Sequence, residues 1–501
     1  MVFRRIMRKT LIITLGIAAG VSLLSSLSGC QNEGASPLRI AADIIHGDEY
    51  ALSQDSMAEL KRFNAVYHKY AIPVSDSRQL KHFSDSFKRV RIRYVRPVSD
   101  RDLIDAAIKG VTELNPKLKS VPPAELVESA LDAMLTSLDA HSSYLNPQEL
   151  RETNVVTKGE FGGLGIEVSM ENGLVKVISP IADTPADRAG IKPGDLITHT
   201  DGAPVQGKTL KQAVRIMRGQ PGQAIVLTIK RGEMKPFDVK VVRAVIKVRS
   251  VRWRTEGDFG YVQIASFTEK VETGIETAMA DIHKKLGVRL KGIVLDLRNN
   301  PGGLLDQALA LSDAFLEGGR IVSVRGRNAE NERVFDAYEG DLAGGLPIVV
   351  LINGGSASAS EIVASALKDH KRAIVLGARS YGKGSVQTIS PLPIEGALRL
   401  TTQLYYVPSG RSIQAHGVTP DIRLVSANQK PEPFPREADA PGALPAVNGE
   451  DVGPRASVTE ENCPAIGEGD KADRQLGCAL MLLKSGSTEK FLASVGSRLN
   501  M

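Results

Sequence analysis

The chain has 501 residues, which at about 100–200 residues per domain implies about three domains. Apolar residues make up 42% and charged residues 24%, the balance of a globular protein that buries a core; aromatics are only 5%, with one Trp, so no stacking platform for single-stranded nucleic acid is evident. The net charge of +6 is concentrated at one end: residues 1–29 hold Arg4, Arg5, Arg8 and Lys9 and no acid, and the +2 that remains gives no warrant for a nucleic-acid partner.

That basic start leads into an apolar stretch, Leu11 to Leu24, and then into small residues, the pattern of a secretory signal. It ends in Leu27-Ser28-Gly29-Cys30, which resembles the lipobox of bacterial lipoproteins. The resemblance implies that Cys30 is lipidated and becomes the first mature residue. Acyl chains would then tether the protein to a membrane without spanning it. The expected address is the periplasmic side of a bacterial envelope, with Gln31, in place of an Asp, pointing to the outer membrane. A plain signal peptide or an uncleaved anchor helix are the alternatives. In an exported chain the two remaining cysteines, Cys463 and Cys478, are candidates for a local disulfide, with two reduced thiols as the alternative. No metal-ligand pattern occurs among the eight His, and no cofactor is implied.

Residues 30–79 are polar and mixed, and read as a tether with some helix. From 80 to 150 apolar residues recur at three-to-four spacing, as in Asp102–Val111 and Glu125–Leu138. Pro122 and Pro123 suit the first turn of the second of these helices. This is a small helical domain, closed by LDAHSSYL (Leu138 to Leu145). It is a candidate dimerisation surface and equally a simple core.

Between 158 and 246 short β-type runs (GIEVSM, LVKVISP, DLITHTDG, AIVLTIKR, FDVKVVRA) alternate with turns and one helix, Thr209–Gly219. GGLGIEV (Gly162 to Val168) followed by TPADRAGIKPGDLITHTDG (Thr184 to Gly202) resembles a PDZ domain. In such domains a glycine loop offers main-chain N–H groups to a peptide's terminal carboxylate, and the peptide adds as a strand to a sheet edge. The corresponding residues here are Gly163, Leu164, Gly165 and Ile166. The alternative is a glycine-rich turn with no ligand.

Residues 250–425 alternate strand and helix. Gly260–Phe267, Lys291–Arg298, Leu346–Asn353 and Arg372–Gly377 are apolar strands, and helices follow at Glu272–Leu286, after the turn NNPGG, and from about Ser358 to Asp369. Continuous apolar strands between helices imply a sheet covered by helices. Residues 426–501 read as a Pro-, Ala- and Glu-rich linker followed by a short helical tail, Ala472–Ser485.

Two turns in this region carry chemistry. In NGGSASASEI (Asn353 to Ile362) a strand ends, glycines allow a sharp bend, and a helix begins. A serine there meets free N–H groups and the positive end of the helix dipole, an environment that suits an oxyanion. Ser356, Ser358 and Ser360 compete for the role, and any of them could instead cap the helix. Ala359 offers one oxyanion donor, and Gly302 or Gly303 of NNPGG a second. In YGKGSVQ (Tyr381 to Gln387) Lys383 stands between two glycines, and a buried lysine can serve as general base if it is neutral. Gln387 is placed to hold its nitrogen.

DLRNNPGGLL, NGGSASASEI, YGKGSVQ and YYVPSGRSIQAHGVTPDI, in this order after the PDZ motif, resemble the C-terminal processing peptidases, also called tail-specific proteases. The resemblance spans about residues 80–425. It implies an α/β, ClpP/crotonase-like peptidase core with an inserted PDZ domain and an N-terminal helical domain. It also implies Ser358 as nucleophile, Lys383 as base, Gln387 as its orienting partner, and oxyanion donors at Ala359 and the NPGG glycines. The expected activity is serine endopeptidase action on exported proteins or peptides with free C-termini. An adaptor lipoprotein is a candidate partner. Three rivals compete: a Ser-His-Asp hydrolase using His370 or His416 with Asp369, a PDZ scaffold with an inactive core, and an acyl-CoA enzyme, which the export signal disfavours because CoA is cytoplasmic.

Overall fold

A computed structural model describes residues 52–496, apart from 74–76, 182, 209, 248, 329–331, 427–434, 449–452 and 469–471. The expected signal segment and the expected lipidation site, Cys30, lie outside the described residues. Four helices come first: α1 (Gln54–Tyr70), α2 (Arg78–Arg93), α3 (Asp100–Glu113) and α4 (Pro123–Thr136). Their starts follow from the sequence. Ser53 and Ser99 accept the N–H groups of Ser56 and Asp102 as caps, and Pro123 occupies the first turn of α4. Part of the expected tether is therefore helix. Phe63 of α1 is fully buried and stacks on Phe83 of α2 at 3.6 Å between centroids, so the helical domain begins near residue 54 and not at 80.

The helical domain does not close at Leu145. Strand β1 (Ser143–Leu145) leaves it, and helix α5 (Pro147–Lys158) leads to strand β2 (Glu160–Gly163). Then come β3 (Ile166–Glu171), β4 (Leu174–Pro180), α6 (Pro185–Arg188), β5 (Leu196–Thr200), β6 (Ala203–Pro204), α7 (Leu210–Met217), β7 (Ala224–Lys230), β8 (Phe237–Val242) and β9 (Ala244–Lys247). Strands β2 and β9 pair antiparallel, so this domain enters and leaves through one ribbon. Its sheet runs β3-β4-β5-β7-β8, with β6 on β5. Val175, Ile197, Leu227 and Ile229 fill its core. Strand β3 is an edge, with one side open to a further strand.

The remaining elements build the core: β10 (Val251–Glu256), β11 (Phe259–Ile264), α8 (Val271–Leu286), β12 (Gly292–Asp296), α9 (Leu305–Asp313), β13 (Gly319–Arg325), β14 (Arg333–Ala337), β15 (Ile348–Ile352), α10 (Ala359–Asp369), β16 (Ala373–Gly377), β17 (Ser385–Pro391), β18 (Ala397–Tyr406), β19 (Ile422–Val425), β20 (Ala456–Thr459), α11 (Arg474–Ser485) and α12 (Thr488–Ser494). A seven-stranded sheet runs β10-β11-β12-β15-β16-β19-β20, parallel throughout except for β10. Helices α8, α9 and α10 cover one face. A second sheet, β1-β18-β13-β14 with β17 on β18, receives β1 from the helical domain. Leu398, Leu400 and Leu404 of β18 pack into the helical core, which fastens that domain to the main sheets.

The segment after 425 is not a linker with a loose tail. Strand β20 extends the main sheet, and Leu476, Leu480 and Leu483 of α11 cover the face opposite α10, against Val294, Val349 and Leu376. Each such buried side chain contributes about 1.5–3 kcal/mol. The sulfurs of Cys463 and Cys478 are bonded, with Cα atoms 5.0 Å apart. Composition misled here because a few apolar residues at helical spacing outweigh the Pro, Ala and Glu around them. Among the described residues no helix is long and apolar enough to cross a membrane.

Candidate active site

Neighbouring parallel strands β12 and β15 end side by side, and the turns after them form a crevice at the carboxyl ends of the strands, where such sheets place their ligands. Reciprocal amide contacts join the two turns. Asn299 N–H donates to Asn353 Oδ1 and Asn353 Nδ2 to Asn299 Oδ1, both at 2.9 Å. Ala357 N–H donates to Asn300 O at 3.0 Å.

Ser358 caps α10 with φ 55° and ψ −112°. A non-glycine residue in that region costs about 1–3 kcal/mol and persists only where its surroundings enforce it. The enforcing group is Glu361, one turn into the helix, whose Oε2 accepts the Ser358 N–H at 2.7 Å. The competing serines are occupied. Ser356 Oγ donates to Leu297 O at 2.8 Å and Ser360 Oγ to Asn300 O at 2.9 Å, and both residues are fully buried. Ser358 is half-buried and makes no such donation among the described residues.

Glu361 also reaches the loop of Lys383. The same Oε2 accepts the Lys383 N–H at 2.9 Å, while Oε1 accepts Gly382 N–H at 2.7 Å and Ser380 Oγ at 2.6 Å. One buried carboxylate thus ties the serine turn to the lysine loop. Burial pushes its pKa up to about 7, against the four donors that favour the ionised form. The motif NGGSASASEI carries Glu361 without marking this role. The signal available was an acid three residues after Ser358, the spacing of a capping box.

Lys383 lines a cavity of about 410 Å³ with His141, Ser142, Gln387 and Arg399. Burial lowers its pKa, while Glu437, Asp139 and Glu361 oppose that and Arg399 adds to it. Gln387 lines the same cavity; its Nε2 donates to Ser385 Oγ at 2.9 Å and to Thr401 Oγ1 at 3.3 Å, and no bond between its amide and the Lys383 amine is present among the described residues.

The glycines of NNPGG separate in role. Gly302 N–H donates to Asn300 Oδ1 at 2.9 Å, which takes it out of service as an oxyanion donor in this arrangement. A Cβ on Gly302 would stand 2.8 Å from Ser358 Cβ and 3.0 Å from Ala359 N, so this glycine is what lets the two turns approach. The N–H groups of Gly303 and Ala359 have no partner among the described residues.

Neither rival histidine bonds Ser358 among the described residues. His370 lies at the far end of the 11-residue α10, about 16 Å of helix from Ser358, and its Nε2 is 2.7 Å from Arg320 O. Asp369 accepts the Ser409 N–H. Burial and the cations Arg411, Arg379 and Arg436 lower the pKa of His416. Among the described residues no group of three or more His, Cys, Asp or Glu is placed to hold a metal ion.

In the inserted domain, Leu164 is buried and Gly165 has φ 79°; a Cβ there would lie 2.3 Å from Thr184 Cβ. Gly165 O accepts Ile181 N–H and Thr184 Oγ1, which fixes the loop. The N–H groups of Leu164 and Gly165 have no partner among the described residues, and Ile166 opens the edge strand β3.

Comparison with known proteins agrees with this architecture. Residues 258–424 match the model of peptidase family S41, and residues 162–241 that of the PDZ domain. A carboxy-terminal-processing protease of Bartonella bacilliformis is 54% identical over 347 residues, 69% of this chain and 75% of that one. A CtpA-like serine protease of Staphylococcus haemolyticus is 35% identical over 314 residues, 62% of each. Among solved structures, a photosystem II D1 C-terminal processing protease aligns over 70% of this chain and 93% of its own, at 25% identity and a TM-score of 0.45.

Proposed function

Because the chain belongs to the carboxy-terminal-processing proteases of peptidase family S41, a serine protease family here carrying a PDZ domain, we propose that it cleaves by a dyad of Ser358 and Lys383. Neutral Lys383 takes the Ser358 proton, and Ser358 Oγ attacks a peptide carbonyl. The oxyanion rests on the N–H groups of Ala359 and Gly303, at the positive end of α10. The acyl-enzyme is then hydrolysed by water activated by Lys383. The observation that carries this reading is the single carboxylate, Glu361, receiving the main-chain N–H of both Ser358 and Lys383. Gln387 acts from the cavity wall, as part of the polar lining around the amine.

The PDZ domain supplies the specificity in this proposal. The free N–H groups of Leu164 and Gly165 receive a substrate's terminal carboxylate, and the tail pairs with the open edge of β3. The lipobox at Cys30 supports an enzyme tethered at the periplasmic side of a bacterial envelope, working on exported proteins.

The test is digestion of peptides with free and with amidated C-termini by wild type, Ser358→Ala and Lys383→Ala. Wild type should prefer the free acid. Each variant should lose on the order of 10⁶ in kcat, the scale seen when one member of a nucleophile–base unit is removed. Near wild-type turnover by Lys383→Ala would overturn the base assignment, and equal cleavage of the amide would overturn the PDZ role.

A further inference from the structure

Two of the groups around Lys383 come from segments far from it and from each other in the chain. His141 belongs to the stretch between α4 and β1, at the end of the helical domain. Glu437 belongs to the segment between β19 and β20. They meet beside the lysine loop: His141 Nε2 lies 2.9 and 3.0 Å from the two carboxylate oxygens of Glu437. Glu437 is fully buried.

Glu437 grips the loop on both flanks of Lys383. Its N–H donates to Tyr381 O at 3.1 Å. Its Oε1 accepts Gln414 Nε2 at 3.2 Å, and Gln414 Oε1 accepts the Gly384 N–H at 3.1 Å. His141 is fixed in turn by Asp139, whose carboxylate accepts the N–H groups of His141 and Ser142 and the hydroxyls of Ser142 and Thr401. Thr401 also receives Gln387, so the polar lining is continuous from Asp139 to the cavity of Lys383.

We propose that His141 and Glu437 are positioning residues for the general base: a half-buried imidazole on a buried carboxylate, brought in from the end of the helical domain and from the β19–β20 connection, that holds the Lys383 loop and governs when the lysine sheds its proton. This rests on the Ser358–Lys383 reading. The base must be neutral to work, and a bare carboxylate beside it would hold it as ammonium. The imidazole N–H draws on that carboxylate and lessens its pull on the amine. The charged groups facing Lys383 are Glu437, Asp139 and Glu361, which favour the ammonium, and Arg399, which opposes it. Those facing Glu437 are His141, Lys383 and the Tyr381 hydroxyl. Burial works to raise the Glu437 pKa, but His141, Gln414 and Lys383 outweigh it and keep the group ionised. A competent base therefore exists only when the helical domain and the C-terminal segment are both in place.

The experiment is the pH profile of kcat/KM for wild type, Glu437→Gln, Glu437→Asp, His141→Phe and Lys383→Ala, each checked for a native thermal transition. Removing the charge in Glu437→Gln should move the acid limb to lower pH by about one unit, a tenfold gain on that limb relative to the variant's own plateau. Glu437→Asp keeps the charge and should keep the wild-type limb. His141→Phe leaves the carboxylate unshielded and should move the limb up by a similar amount. Glu361 is common to all of these, so differences between them report on the lysine. A purely structural role would scale every profile without moving its limb, and that result overturns the proposal. If Glu437→Gln does not fold, an unmoved limb in His141→Phe is sufficient to overturn it. Proteolysis by Lys383→Ala would instead sink the dyad itself.

Discussion

The two halves of the site are built differently. The side of the proposed nucleophile is local: Ser358, Ala359, Glu361 and the paired Asn299 and Asn353 all sit at two strand-to-helix junctions of one sheet. The side of the proposed base is assembled from a distance. The surroundings of Lys383 draw on residues 139–142, on Arg399 and Thr401, and on Gln414 and Glu437. A serine needs geometry, which a strained φ and a helix terminus fix within a few residues. A lysine needs an environment that strips its proton, and only tertiary packing supplies that. Damage to the first half should lower kcat at every pH, whereas damage to the second should displace the pH profile.

The largest effect outside the dyad should come from Glu361→Gln, because Glu361 is the one group shared by both halves. An amide turns one of its two acceptors into a donor and sets it against main-chain N–H groups. The expected loss is about 10²–10³ in kcat, the scale of a removed oxyanion donor. The pH dependence carries opposite signs for activity and for stability. Chemistry uses the ionised carboxylate, so kcat/KM of wild type should fall as pH drops through about 7. Folding favours the protonated form, since the folded pKa of about 7 lies above the ordinary 4.5. This stabilising contribution is full below 4.5 and is lost as pH rises towards 7. Denaturant unfolding at pH 5 and 8 checks it: wild type should lose stability across that interval, and Glu361→Gln should lose less. A variant with wild-type kcat would dissolve the link between the halves.

Two glycines sharpen the contrast with a single methyl each. In Gly302→Ala, where φ is 97°, the new Cβ would stand 2.7 Å from Ala357 O and 2.8 Å from Ser358 Cβ. It pushes on the nucleophile directly, and a displacement of about 1 Å can cost about 10²-fold in rate. In Gly384→Ala the methyl would meet the Gln414 main-chain N at 2.2 Å and pry the lysine loop off its support. Steady-state kinetics from pH 6 to 10 should separate them. Gly302→Ala should be slow throughout, while Gly384→Ala should be about tenfold slow near neutrality and shifted in its pH optimum. Identical profile shapes would mean that the halves are not independent.

The same division explains what could be read in advance. Strands β12, β15 and β16 and helix α10 were legible because each is a continuous apolar or periodic run bounded by glycine turns. The motifs around Ser358 and Lys383 and the PDZ motif stood out because each is short and contiguous. His141 and Glu437 were not, because each is a lone polar residue nearly 300 positions from the other in sequence, and no local pattern marks the contact. Gln387 was assigned its partner by its spacing and by the resemblance; the structure places its nitrogen on Ser385 and Thr401 and shows no bond to Lys383 among the described residues. The segment after 425 was misread by composition. Four residues of β20, one face of α11 and Phe491 and Leu492 of α12 carry its packing.

A change on neither side sets the lower bound of the comparison. The Cys463–Cys478 bond closes a loop of 15 residues, for which chain entropy gives about 3 kcal/mol. It fastens the start of α11 to the turn before it, where a Cβ on Gly477 would stand 1.7 Å from Pro464 O. Helix α11 covers the face of Val294, Val349 and Leu351, whereas α10 packs with Ile293, Leu295 and Val350 on the other. The route from this region towards the NNPGG turn is Arg298, which bonds both Asp296 and Asp473, and that pair does not need the disulfide. Replacing both cysteines by serine should therefore lower the unfolding free energy by about 3 kcal/mol or less and leave kcat and its pH profile unchanged. A displaced profile in that variant would mean that the sheet transmits strain from one face to the other, and the lysine's surroundings would then extend through the whole core.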